Sequence, residues 1–165
     1  MYLTVFWFIL GPSNPLYALT LVWGTSSLQP TLAGPLMRPL PRQWFRVPDG
    51  ERVLHRVLGV GLFWWLLDVI GWNRLITRMR AFSGTKAGLV SLEQQARAGA
   101  IAHAICFGIH VVLAVLALST THPWSGALWM LLPAVIPHFY PVFMQRSILL
   151  RLQSLLDNAA ARRPI

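Results

Sequence analysis

From Ala98 to Leu118 the chain carries no acid, lysine or arginine, and only His103 and His110 interrupt the apolar run. A stretch of about 21 such residues matches a hydrocarbon core of about 30 Å, and a helix is the form in which one segment satisfies its own N–H and C=O groups there. The run is therefore expected to be a transmembrane helix, and it sets the class of the chain. With 55% hydrophobic residues against 12% charged, a sequence of 165 residues has too little polar surface for a water-soluble domain.

Two further blocks fit the same medium. Trp124 to Met144 is expected to return through the membrane after a short external loop, Ser119 to Pro123, and to be kinked at Pro133, Pro137 and Pro141. Tyr2 to Trp23 is apolar but interrupted by Gly11-Pro12-Ser13-Asn14-Pro15. One kinked span is the first expectation and a re-entrant pair of short helices the alternative. Without a basic leading region or a clear cleavage site, this block is read as a retained segment. Gln29 to Pro48, dense in proline, is expected to be an extended connector.

The placement of charge orients these spans. Of the fourteen Lys and Arg, none precedes Arg38 and none lies between Arg97 and Arg146. Val57 to Trp72 is apolar, contains Asp68 and is flanked by arginines on both sides. Were it to cross, one basic cluster would sit outside, so it is expected to lie in the interface or re-enter, with Trp64, Trp65 and Trp72 at head-group depth. Beyond Met144, the spacing of Ile148, Leu149, Leu152, Leu155 and Leu156 predicts an amphipathic helix on the membrane surface. The expected architecture is an all-α integral membrane protein forming a single domain over residues 1–165. Its spans are about 2–23, 98–118 and 124–144, with an interfacial segment at 57–72 and a cytoplasmic basic tail at 145–165. The N-terminus is expected outside and the C-terminus in the cytoplasm of a bacterial inner membrane. The net charge of +9 is then explained by topology and anionic lipid, and nucleic acid is not an expected partner. Cys106, the single cysteine, can form no internal disulfide.

Titratable groups inside hydrocarbon are costly and mark candidate sites. On ideal helices His103 and His110 share nearly one face, and His138 on the returning helix falls at a depth similar to His103, so an inward-facing histidine cluster is geometrically open. Packing across a helix interface would also account for these residues. An imidazole pair could ligate a haem or chlorin, but no CxxCH motif or Cys/His zinc spacing occurs. No metal or resident cofactor is expected, though pigment or lipid contacts are. GxSxG, HExxH and Gly-rich phosphate loops are also absent, which removes the commonest hydrolase and nucleotide-binding signatures. A base would need an orienting acid, and Glu51, Asp68 and Glu93 are the acids near the same face. Gln145-Arg146 follows a proline-kinked helix end. The pair could hold a carboxylate, sugar or phosphate, or Arg146 could simply snorkel to the head groups.

The string Phe139-Tyr140-Pro141 through Gln145-Arg146 and on to Arg151 resembles the C-terminal pattern of the glycosyl-4,4'-diaponeurosporenoate acyltransferases, small bacterial membrane enzymes of carotenoid biosynthesis. Phe45-Arg46, Glu51, His55 and Val60 to Trp64 stand in an order similar to a second region of that family, and Glu93, Arg97 and His103 to a third. The sequence departs from the pattern at Ser147-Ile148, where the family has Tyr-Asn, at Ala100, where it has an acid, and at Trp64-Trp65-Leu66-Leu67, where it has Trp-Lys. The resemblance implies transfer of a fatty acyl chain to a sugar hydroxyl of a carotenoid glycoside at the membrane face. It further implies His103 as general base, Glu93 or Glu51 orienting it, Gln145 and Arg146 holding donor or sugar, and Trp64 and Trp65 guiding the lipid.

A different class of function is open to the same residues. A non-catalytic subunit of a larger membrane assembly, such as a photosynthetic pigment-protein complex, would use the eight Trp and eight Phe to pack against other subunits or a carotenoid.

Overall fold

The computed structural model of the chain describes residues 2–37, 41–80 and 85–161; Arg38, Arg162 and Arg163 of the basic regions lie outside them. The described residues form helices and turns and contain no strand. Two compact units result, one from Met1–Leu36 with Ile101–Val142, the other from Met37–Ala100 with Phe143–Ile165.

In the first unit, α1 (Tyr2–Leu10) stops at Gly11, whose φ of 78° is open to glycine without strain. The side chain of Asn14 accepts the N–H of Leu16 at 2.9 Å, and Pro15 begins α2 (Pro15–Met37) where its missing donor costs nothing. The N-terminal block is thus two helices parted by a turn, not one kinked span. The nine residues of α1 rise only about 14 Å. Nor is the first part of the connector extended, because α2 continues through Pro30 and Pro35 to Met37; residues 38–40 of it lie outside the described residues. Each of those prolines removes a single donor, and the hydroxyls of Ser27 and Thr31 bond back to the carbonyls of Gly24 and Leu28 at 2.7 Å.

The remaining elements of this unit are the C-terminal part of α6 (Lys86–Ala117), α7 (Pro123–Ala134) and a π-helical turn, Val135–Phe139, that leads into α8 (Tyr140–Ala161). Pro137 and Pro141 withdraw donors from the carbonyls of Pro133 and Pro137, and the chain absorbs the mismatch by widening one turn. Of the three prolines, Pro137 lies inside this wide turn, while Pro133 and Pro141 lie in the α-helical residues on either side. The tail expected as a separate surface helix is the unbroken continuation of α8. Tyr17, Ala18, Leu21, Ala114, Ala117 and Met130 form the buried core.

Two helices, Gly88–Ala117 and Pro123–Leu155, are long and apolar enough to cross a membrane. Only 33% and 22% of their most apolar windows are buried inside the protein, so most of that surface faces outward and requires an apolar surrounding.

In the second unit, a 3-10 turn (Arg42–Phe45) precedes α3 (Glu51–Val57), α4 (Val60–Val69) and α5 (Trp72–Arg80). Gly59 and Gly71, at φ 65° and 77°, separate them. An added Cβ would meet nothing within 4 Å at either position, so backbone conformation and not crowding demands glycine. The apolar run expected to lie in the interface is therefore cut into short rods. The ten residues of α4 rise about 15 Å, half a hydrocarbon core. Val47, Ala96, Leu149 and Leu150 make the core of this unit, and the guanidinium of Arg97 covers the ring of Phe45 at 4.6 Å.

Close helix packing in the first unit depends on Gly126. A Cβ there would lie 3.0 Å from that of Ala117 and 3.5 Å from that of Pro12. Gly126→Leu is expected to destabilise the protein by about 1–3 kcal/mol through overpacking. A lowered melting temperature in mild detergent would register this, and an unchanged one would show that the contact gives way freely.

Candidate active site

Glu51 and His55 are one helical turn apart on α3 and share a face. The imidazole Nε2 lies 3.2 Å from Glu51 Oε1. Arg146, in the first two turns of α8, closes its fork on the same carboxylate, with Nε donating to Oε1 and Nη2 to Oε2, both at 2.5 Å. The Glu51 and His55 side chains are each 10% exposed and that of Arg146 27%, which leaves water little opportunity to screen the group. Phe143 sets its ring edge-on to His55 at 6.0 Å. On the other side of the imidazole, the Ser147 hydroxyl lies 2.9 Å from Nδ1.

These contacts fix the protons. The Arg146 guanidinium holds the Glu51 carboxyl below its ordinary value, with His55 acting in the same direction and partial burial opposing both. An ionised carboxylate only accepts, so His55 carries its proton on Nε2, and Nδ1 keeps the lone pair that accepts from Ser147. The result is a hydroxyl, a base and an orienting acid in series, with a guanidinium anchoring the acid.

The frame around this series is set by Gln153, two turns beyond Arg146 on α8. Its amide accepts the Val47 N–H at 2.7 Å and donates to the Val47 carbonyl at 3.3 Å, tying the segment before α3 to α8. A cleft of about 580 Å³ opens there, lined by Arg46, Asp49, Arg52, Gln153 and Ser154 among others. Gln145 is buried against α6, where a Cβ on Gly99 would come within 3.0 Å of its amide group.

A second polar cluster occupies the first unit. His110 Nδ1 faces the Met130 carbonyl at 2.8 Å and so bears the proton, leaving Nε2 as an acceptor. Thr25 Oγ1 stands 3.3 Å from that nitrogen and 2.9 Å from His138 Nε2. Gln29 Nε2 donates to His138 Nδ1 at 3.1 Å, and Cys106 Sγ donates to the Thr25 carbonyl at 3.2 Å. The one proton of the Thr25 hydroxyl has the Leu21 and Val22 carbonyls at 2.9 and 3.1 Å and His110 Nε2 at 3.3 Å as acceptors, while the oxygen accepts from His138 Nε2. The His103 ring lies 6.1 Å from that of His138.

The residues singled out from sequence thus fall into two groups. Glu51 and Arg146 are brought into direct contact, whereas His103 joins the histidines of the other unit. Glu93 is half-buried on α6, Trp64 is half-buried on α4, and Trp65 is 61% exposed. His55 and Ser147 received no role from sequence, although the four-residue step from Glu51 to His55 was the available signal. Thr25 and Gln29, also four apart, bear the polar groups that the intramembrane histidines require.

The family described as glycosyl-4,4'-diaponeurosporenoate acyltransferase matches residues 41–158. No curated protein and no solved structure matched the chain.

Two outcomes follow from this geometry. Because the folded value of Glu51 is depressed, its stabilising contribution is complete above the ordinary carboxylate value of 4.5 and is lost as pH falls through the lower one. The part of the melting temperature that Glu51 contributes, read as the difference between wild type and Glu51→Gln, should therefore be constant down to about pH 5 and shrink as pH falls further, because the unfolded chain takes up the proton before the folded one does. Arg146→Gln should flatten that decline; a profile indistinguishable from wild type would contradict the coupling. In the other unit, Thr25→Val strips two imidazoles of a shared partner and should cost about 1–2 kcal/mol, read as detergent thermal stability.

Proposed function

The chain belongs to the glycosyl-4,4'-diaponeurosporenoate acyltransferase family, and on that premise we propose that it transfers a fatty acyl chain to a hydroxyl of a membrane-bound glycolipid, a carotenoid glycoside or close analogue. The observation that carries this reading is the His55 imidazole, oriented by Glu51 and with Nδ1 in position to take a proton from a hydroxyl. Ester formation needs that removal, and a positioned base contributes about 10²- to 10⁴-fold. Arg146 acts through Glu51, keeping the carboxylate ionised and the imidazole in the required tautomer.

The membrane setting supports the same substrate class. Leu62, Trp65, Leu66 and Val69 of α4 and Trp72 and Leu75 of α5 are exposed. With Arg74 also exposed on α5, they form the surface expected of rods lying in the interface on the cytoplasmic side, beside which a lipid acceptor would diffuse. Arg46 and Arg52, the latter paired with Asp49 at 3.4 Å, leave the neighbouring cleft with a net positive lining that suits an anionic group on the acyl donor. In this reading Trp64 and Trp65 guide the lipid, and Gln145 shapes the wall beside the site.

The base is the point at which this proposal is most exposed to test. In proteoliposomes supplied with an acyl thioester and a glycosylated carotenoid, His55→Ala should reduce ester formation by about 10²-fold or more. Loss confined to His103→Ala, with His55→Ala unaffected, would return the base to His103.

A further inference from the structure

We propose that Ser147 carries the acyl group during the reaction, so that transfer runs through a serine ester and not directly from donor to acceptor; this rests on the acyltransferase reading above. Helical serine and threonine hydroxyls ordinarily bond back to carbonyls of the preceding turn. Thr20, Ser27, Thr31 and Ser154 do so here, at 2.7 to 2.9 Å from Leu16, Gly24, Leu28 and Arg151. Ser147 instead directs its hydroxyl to His55 Nδ1.

That bond has a mechanistic consequence. Since His55 Nε2 is committed to Glu51, Nδ1 is the nitrogen at which a proton can be taken, and the hydroxyl already seated on it is that of Ser147. An external acceptor would have to displace Ser147 to reach the base in the first step. Ser147 is half-buried, so its oxygen is shielded from bulk water without being enclosed.

The donor is a long-chain acyl thioester. Ser147 Oγ attacks the thioester carbonyl carbon while its proton passes to His55 Nδ1, and Glu51 holds the imidazolium that forms. The C–S bond breaks, and the departing thiolate takes the proton from Nδ1 and leaves as a free thiol. A sugar hydroxyl then attacks the serine ester carbonyl, giving its proton to Nδ1. The ester C–O bond to Ser147 breaks, and Oγ recovers that proton as the acylated sugar departs. No electrons are exchanged, and Ser147 and His55 return to their starting forms.

Full-length protein in nanodiscs, given palmitoyl-CoA without acceptor and quenched rapidly, should gain one palmitoyl group on the peptide containing Ser147. Ser147→Ala should show no label and at least a 10²-fold loss of transfer, with an unchanged melting temperature. Ser147→Cys should be labelled as a thioester released by neutral hydroxylamine. Transfer at the wild-type rate by Ser147→Ala would overturn the serine ester and leave the acyltransferase reading standing. Label on wild-type Ser147 without transfer to any glycosylated acceptor would support the ester and defeat the acceptor assignment, and neither label nor transfer would overturn both.

Discussion

A guanidinium that closes both arms of its fork on one carboxylate ties two helices at a fixed distance and angle, because each added hydrogen bond removes a rotation that a single contact would leave free. Arg146 and Glu51 do this between α8 and α3. The imidazole of His55 can be set by Glu51 because Glu51 itself is immobilised, and Ser147 follows Arg146 by one residue on a helix whose direction is already determined. The apolar contacts among Val47, Ala96, Leu149 and Leu150 form the core of the same unit. They contribute bulk stability, while the ion pair contributes the register.

The two units handle polarity within apolar helices in different ways. In the first, imidazoles, a hydroxyl, an amide and a thiol are joined to one another and to backbone carbonyls, without a carboxylate among the bonds described there. Such an assembly fixes which nitrogen carries each proton, and it ties α2, α6 and the π-helical turn together. The second unit brings formal charges together at a largely buried position. Proton transfer is better served by the second arrangement, since a carboxylate stabilises the imidazolium that a base must become.

Apolar length carried most of what could be read from the sequence. Ala98 to Leu118 lies within α6 almost entirely, and the return helix followed from its apolar length. Backbone punctuation was harder to weigh. Gly11 and Asn14 together end one helix and start another, whereas Pro30 and Pro35 do neither, and the difference lies in positive φ and side-chain capping, which single residue types do not announce. The site was legible by half. Glu51 and Arg146 stood out as charges close to an apolar block, but their pairing brings together positions far apart in the chain. Attention to intramembrane histidines singled out His103, while His55 is marked by a carboxylate one turn away and a serine across the helix interface, contacts that only the fold brings out.

The left-handed glycines at 59 and 71 bear on more than the end of a helix. A single rod spanning residues 51–80 would be about 45 Å long and straight, tangent to a bilayer surface at one place and lifting from it elsewhere as that surface bends. Three short rods with two corners can follow the contour, each settling its own apolar side. On the interfacial placement proposed above, such a chain would stay seated on strongly curved or locally thinned lipid, and the candidate site around Glu51, at the start of the first rod, would not tilt with the membrane.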